Sequence, residues 1–327
     1  MTTQLLVSTP VVRLAEDVED TIYNYRPTDA PLTSSIKRTP VKAVYHEWTA
    51  DVYRNPNPDN AAIEGADATF AAATQPGQYN NRTQIVQDTI SVSGTAEAVR
   101  KYGRKSEVKR LFAKKAVELK RDIEAAAIGN PVAVTDNGSN TAGKMRGLFG
   151  WIKTNNSLNS DTGVAPDPQT NTGPVAGTLR AFGEALLKPV ILGVYQNGGD
   201  ADVLMVSPAH KQAASAFSGN VQRVNEVGKN SKFLQTAIDV YGHDFGNTKV
   251  VPNRVMTVAG KPGLINTAYI LDYDKIKLGQ LRPFQRTPLA KVGDSEQHQI
   301  LTEVTLVVGQ ESTLGAIRDL TATGLAP

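Results

Sequence analysis

The heptapeptide Gly138-Ser139-Asn140-Thr141-Ala142-Gly143-Lys144 has the glycine and lysine spacing of a phosphate-binding loop. That chemistry needs a Ser or Thr directly after the lysine to hold magnesium, and a helix whose first amides point at phosphate. Met145 follows instead, and Gly147 and Gly150 make a poor helix. A polar turn is expected here. The enzyme alternative, a nucleotide hydrolase using Gly143 and Lys144, would lose nucleotide binding on Lys144→Ala. Asp161-Thr162-Gly163 has the letters of an aspartic-protease site, which needs two carboxylates sharing a proton. Asn159-Ser160 in front is not the apolar strand that would carry it, so a turn is expected again.

His46, His210, His243 and His298 are scattered, and no two stand at zinc-ligand spacing. Surface or turn positions are expected for all four. His243-Asp244 could orient a base, but no Ser lies in a nucleophile-elbow sequence. The chain has no Cys, which removes thiolate chemistry and disulfides and fits a reducing compartment. The sequence therefore assigns no catalytic residue, no cofactor and no metal site.

Among 327 residues, 40% are hydrophobic and 20% charged, as in an ordinary globular protein. The net charge of +3 is too small for a dedicated nucleic-acid binder. MTTQLLVSTP lacks the regions of a signal peptide, and no apolar run reaches a membrane span, so no membrane partner is expected.

The elements carry more information than these motifs. From Arg104 to about Ile128, Val108, Phe112, Ala116, Leu119 and Ile123 repeat at helical spacing. Gly129-Asn130-Pro131 stops this helix, which would be roughly 37 Å long. It is basic. One reading turns its lysines toward nucleic acid. The other is a solvated face with pairs such as Lys114–Glu118 and Lys120–Glu124. Residues 1–40 read as an arm: Val11, Leu14, Val18 and Ile22 suggest one acidic helix, and Pro27, Pro31 and Pro40 keep the chain extended. Residues 41–54 alternate, with Val44, Trp48, Ala50 and Val52 on one side. Residues 83–93 alternate too, with Val86, Ile90 and Val92 in phase. The two are expected to pair as a long ribbon around an insert rich in Asn, Pro, Ala and Gly. A ribbon alone is marginal in water, so it should rest on another subunit.

Further on, Val175, Leu179, Phe182, Leu186 and Val190 predict a helix starting at Pro174, shortened or kinked by Pro189. Val203–Val206 predicts a buried strand, and Ser207-Pro208 the start of a helix over 208–217. From Ile238 onward strands dominate. Residues 298–309 are expected to be the last and longest, with Ile300, Val304, Leu306 and Val308 on one side. The fold class is α+β.

This order of parts resembles the major capsid protein of tailed bacteriophages, the fold named after phage Hong Kong 97. The stretches that carry the resemblance are HEWTADVYRNP (46–56), Ile63-Glu64-Gly65, TQIVQDTISVSGTAEAV (83–99), ELKRDIEAAAIGN (118–130), MRGLFGWIKTN (145–155) and VYGHDFGNTKVVPNR (240–254). The resemblance implies an N-terminal arm (1–40), an extended E-loop ribbon (41–95) and a P domain (96–171) whose spine helix is about 104–128. It further implies an α/β A, or axial, domain (172–275) and closing strands of the P domain (276–327).

The implied function is structural: a homo-oligomer of pentamers and hexamers closing an icosahedral shell around double-stranded DNA. Trp48, Arg54, Ile63, Glu64 and Phe70 of the E-loop would contact a neighbouring subunit. Lys105, Lys109, Lys114 and Lys115 would face DNA without sequence specificity. Implied partners are a separate scaffold protein, a portal and a cement or decoration protein. The setting would be the virion, after assembly in the host cytoplasm. The Lys–Asn–Glu trio of cross-linking members cannot be matched to positions here, so no covalent cross-link is expected. An encapsulin-type compartment with protein cargo is the alternative on the same fold, and a tail protein is disfavoured by the long helix.

Overall fold

The computed structural model describes residues 29–99 apart from 66, 68, 69, 71 and 74, residues 105–217 apart from 160, and residues 239–321 apart from 292. The expected arm helix around Val11–Ile22, Pro27 and Arg104 lie outside the described residues.

The arm, ribbon and spine contribute α1 (Pro31–Ser35), β1 (Lys37–Pro40), β2 (Tyr45–Ala50), β3 (Gly77–Arg82), β4 (Gln84–Ser93), α2 (Gly94–Ala98) and α3 (Glu107–Gly129). The middle of the chain adds α4 (Leu148–Trp151), β5 (Asn155–Ser157), α5 (Glu184–Gln196), β6 (Val203–Val206), α6 (Pro208–Ser215), β7 (Val240–His243) and β8 (Gly246–Pro252). The last part adds α7 (Pro262–Ile265), β9 (Ala268–Leu271), β10 (Ile276–Pro288), β11 (Ser295–Val308) and β12 (Gly315–Ile317).

The expected long helix is α3. Ser106 caps it, its side chain accepting from the Lys109 amide at 3.3 Å, and Asn130 closes it. Val108, Leu119 and Ile123 are buried as the spacing required, while Phe112 is only partly buried. One four-stranded sheet, in the order β1-β10-β11-β4, lies against α3. A six-stranded sheet, β5-β12-β9-β6-β8-β7, lies beside it. Its central strands are buried on both faces. Met205, Tyr269, Leu271 and Ala316 join the core around α3 and Trp151, whereas Leu204, Val206, Ile270 and Ile317 join a second core with α5 and α6. The alternation within each four-residue strand thus stitches two cores together. The structure is α+β, as expected.

Several expectations change. The ribbon is β2 with β3, Tyr45 opposite Arg82 and Ala50 opposite Gly77. The alternating stretch 83–93 pairs instead with β11, Val86 opposite Thr302 and Ile90 opposite His298. Its apolar phase fits the face over α3, a larger burial than a free ribbon offers. The arm's last part is not coreless. Leu32 and Ile36 are buried, Pro31 starts α1 rather than extending the chain, and β1 adds in parallel to β10. The helix expected from Pro174 begins only at Glu184, because Asp319 takes the Gly177 amide through Oδ1 at 2.8 Å and its carbonyl takes the Arg180 amide. Pro189 sits inside α5, which runs on to Gln196. The strand 295–308 is the longest, but β12 follows it and enters the six-stranded sheet, together with β5 from before residue 172.

Candidate subunit interface

The base of the ribbon is fastened to its own subunit. Trp48 Nε1 donates to the Val308 carbonyl at 2.8 Å, and its ring lies 5.4 Å from that of Trp151. Tyr79, opposite Trp48 in the ladder, lies 6.2 Å from the same ring. Asn81 is fully buried. Its Nδ2 donates to the carbonyls of Leu306 (2.7 Å) and Arg146 (3.0 Å), and its Oδ1 accepts from the Arg146 amide at 2.8 Å. The Arg146 guanidinium is buried too, over the Trp151 ring, donating to Pro168 O and Asn171 Oδ1. Burial lowers its pKa to about 10, so it stays charged near neutrality. Trp48, expected at a neighbour's surface, therefore serves first as an intramolecular anchor.

Beyond Ala50 the chain leaves the protein surface. Every described residue from Asp51 to Pro76 outside the ladder is exposed. Tyr53 is 99%, Phe70 97% and Ile63 83% exposed. Among the described residues Arg54 donates only to the neighbouring Asn55 carbonyl, and Glu64 stands beside Gly65, which has φ +79°. Gly65 is a turn position that glycine takes without steric cost. The tip holds Asp51, Asp59, Glu64 and Asp67 against Arg54, giving it a net charge of −3 in a chain that is +3.

The spine helix presents the opposite charge. Lys105, Lys109, Lys114 and Lys120 are exposed. Lys115 is engaged, 2.9 Å from Asp88 on β4 and 3.0 Å from Glu118. The expected Lys114–Glu118 pair forms at 3.8 Å. The expected Lys120–Glu124 pair does not, because Glu124 points inward. Glu124 is fully buried, accepting from the amides of Leu32 and Thr33 at 2.8 Å each and from Asn253 Nδ2 at 2.7 Å. It ties the end of the arm and the turn after β8 to the spine. Helical spacing had placed it on the solvent side; only the fold of residues 30–33 shows its use.

The motifs with chemical letters resolve as structure. Asn137 Oδ1 accepts from the amides of Ser139, Asn140 and Thr141, and Lys144 pairs through its backbone with Val134. The amides that a phosphate would need are thus engaged in a turn. Asp161 is exposed in another turn, before Gly163, whose amide donates to the Asn159 carbonyl. His210 departs from its expected surface position. It is fully buried, with Nδ1 3.0 Å from Ser207 Oγ and Nε2 2.9 Å from the Thr321 carbonyl. Among the described residues no group of His, Asp and Glu could hold a metal ion, and no helix is long and apolar enough to cross a membrane.

What remains is a rigid ribbon base carrying an acidic, aromatic, unsupported tip, and a basic helix face. A family model described as the SU10 major capsid protein matches residues 1–321. The major capsid protein of Escherichia phage Phieco32 is 26% identical over 320 residues, covering 86% of this chain and 87% of that protein. Among solved structures, the capsid of a native GTA particle aligns with TM-score 0.62 and 13% identity over 94% of this chain and 96% of that one. The capsid asymmetric unit of Cyanophage A-1(L) aligns with TM-score 0.61 and 15% identity over 94% and 97%.

Proposed function

The chain belongs to the SU10 major capsid protein family, and on that footing we propose that its shell is built from pentamers and hexamers joined through the tip of the β2–β3 ribbon. The protein is a structural subunit of a phage capsid with a Hong Kong 97-type fold. The observation that carries the joint is the tip itself. Tyr53 and Phe70 are almost wholly exposed at the end of a ribbon whose base is locked by Trp48 and Asn81. Apolar side chains held out on a rigid stem gain burial only from a neighbour. Arg54, Ile63, Glu64 and Phe70 are the contact residues of that joint, and Trp48 sets its angle.

In this reading the E-loop is 41–82, since β4 belongs to the sheet over the spine helix. The P domain is that sheet with α3, and the A domain is the six-stranded unit. Double-stranded DNA fills the shell, met through phosphate charge alone. A separate scaffold protein, a portal and a decoration protein complete the virion, which assembles in the host cytoplasm. The reading includes no turnover and no cofactor.

Electron microscopy of the purified chain, with and without a co-expressed scaffold candidate, tests this. Closed icosahedral shells, or free pentamers and hexamers, are expected, with DNA rather than a protein cargo in the filled particle. A uniform monomer or dimer under every assembly condition would overturn the shell geometry, and a protein cargo would point to a compartment.

A further inference from the structure

The hydrogen bonds that deny the 134–144 loop to a phosphate are arranged for a different reaction. Val134 and Lys144 close the loop through their backbones, and every residue from Thr135 to Ala142 is exposed. At its tip stands Asn137-Gly138, one of two Asn-Gly pairs in the chain; the other is Asn197-Gly198. An asparagine followed by glycine can close on itself, because glycine puts no side chain in the way of its own nitrogen reaching the amide carbon. Gly138 has φ +68°, and a Cβ placed there would meet nothing within 4 Å.

Around Asn137 each reacting atom has a partner. Gly138 N, the nucleophile, donates to Asp136 Oδ1 at 2.7 Å. Asn137 Oδ1 accepts from the amides of Ser139 (3.0 Å), Asn140 (3.1 Å) and Thr141 (2.9 Å). Asn137 Nδ2, the leaving group, donates to Asn140 Oδ1 at 2.7 Å. Asn197 has the same following residue and a different setting. Gly198 N donates to the Tyr195 carbonyl at 3.0 Å, which is no base. Asn197 Nδ2 is held by the Gly193 carbonyl at 2.8 Å and Asn155 Oδ1 at 3.2 Å, and among the described residues no donor reaches its Oδ1.

We propose that this loop promotes its own deamidation at Asn137. Gly138 N forms a bond to Asn137 Cγ while its proton passes to the Asp136 carboxylate. The carbonyl electron pair moves onto Oδ1, and the three amides there bind an oxyanion more strongly than a neutral oxygen. The intermediate collapses, the Cγ–Nδ2 bond breaks, Asp136 returns the proton to the departing nitrogen, and ammonia leaves a cyclic succinimide. Water then opens one of its two carbonyls, giving aspartate or isoaspartate at 137. The net change is water for ammonia. Either product puts a second carboxylate beside Asp136 and lowers the +3 charge of the chain by one. The isoaspartyl product also inserts a methylene into the loop backbone. Residues 135–142 belong to neither core and lie outside the ribbon, so the change marks the age of each copy without touching the fold or the joint.

Ageing the purified full chain at neutral pH tests this. Protease digestion and mass spectrometry follow each asparagine, with fragmentation to separate aspartate from isoaspartate. A synthetic peptide of residues 131–145 serves as the unfolded reference. Asn137 in the folded chain should convert at least about tenfold faster than in the peptide and than Asn197. Unfolding in urea should abolish that difference. Asp136→Asn keeps an acceptor for Gly138 N but removes the base. Residue 136 is exposed, so this variant should melt as the parent does. Its conversion should slow by about tenfold and rise more steeply with pH, as hydroxide replaces the carboxylate. Conversion of Asn137 no faster than in the peptide would mean that the turn protects the amide, and would overturn the proposal. An unchanged rate and pH profile in Asp136→Asn would overturn it as well.

Discussion

Glu124 shows how a single side chain can decide where a segment sits. A buried carboxylate is costly unless its oxygens are bonded. Here two backbone amides of α1 and Asn253 Nδ2 supply three donors, and no described cation pairs with it. Glu124→Ala would leave those donors unsatisfied, at about 1–3 kcal/mol each before relaxation. We expect a loss of at least ~3 kcal/mol in urea unfolding of the unassembled subunit. A loss below about 0.5 kcal/mol, the range of neutral surface changes, would contradict the hub role. His210 acts through pH. Burial depresses its proton affinity, against a smaller opposing effect of the Thr321 carbonyl, and burial depresses His243 likewise. With the folded pKa below the unfolded value of about 6.5, stability is full above that pH and is lost as pH falls through the folded value. Urea midpoints should therefore drop between neutrality and mild acid. His210→Gln should flatten part of that drop, His243 retaining the remainder.

At the level of elements, the ribbon is a lever on a fixed base. Trp48→Ala removes the bond to Val308 and the packing on Trp151, a cost of about 2 kcal/mol for a half-buried indole. Hydrogen exchange should quicken in β2 and β3 and leave α3 protected; uniform loss across both would mean that Trp48 supports the whole core instead. The strands and the spine were readable because apolar residues repeat at period two in β4 and at helical spacing in α3. The ribbon's partner was not. β3 reads GQYNNR, with no apolar alternation, and its one fully buried residue is Asn81, whose partners are the carbonyls of 146 and 306 and the amide of 146. The false helix start at Pro174 has the same origin. Val175 and Leu179 stand at helical spacing, but Asp319, far along the chain, claims the backbone there. His210 was missed because burial of a histidine depends on where the chain's Thr321 returns. Pattern records which face is apolar; it does not record which distant carbonyl or carboxylate will arrive.

For the whole molecule, folding and assembly are expected to be separable, because the tip we propose as the joint contributes no described residue to the cores. Both cores are built from residues outside the tip, stitched by strands buried on both faces. No described residue between 52 and 75 is buried, while the ladder ends at Ala50 and Gly77. Replacing residues 54–74 with a short Gly-Ser turn should therefore keep the ladder closed. Shortening the loop lowers its closure entropy by less than ~1 kcal/mol, so the subunit's melting should be nearly unchanged or slightly raised. Assembly should respond oppositely. The variant gives up the exposed apolar residues Ile63 and Phe70 and three of the four tip carboxylates, and keeps of the tip only Asp51, Val52, Tyr53 and the last two residues before the ladder. Sedimentation should find free subunits or capsomers where the parent gives shells, at matched thermal stability. A variant that loses both would place the tip in the fold rather than in the joint. One that keeps both would leave the exposed aromatics without a role in the shell.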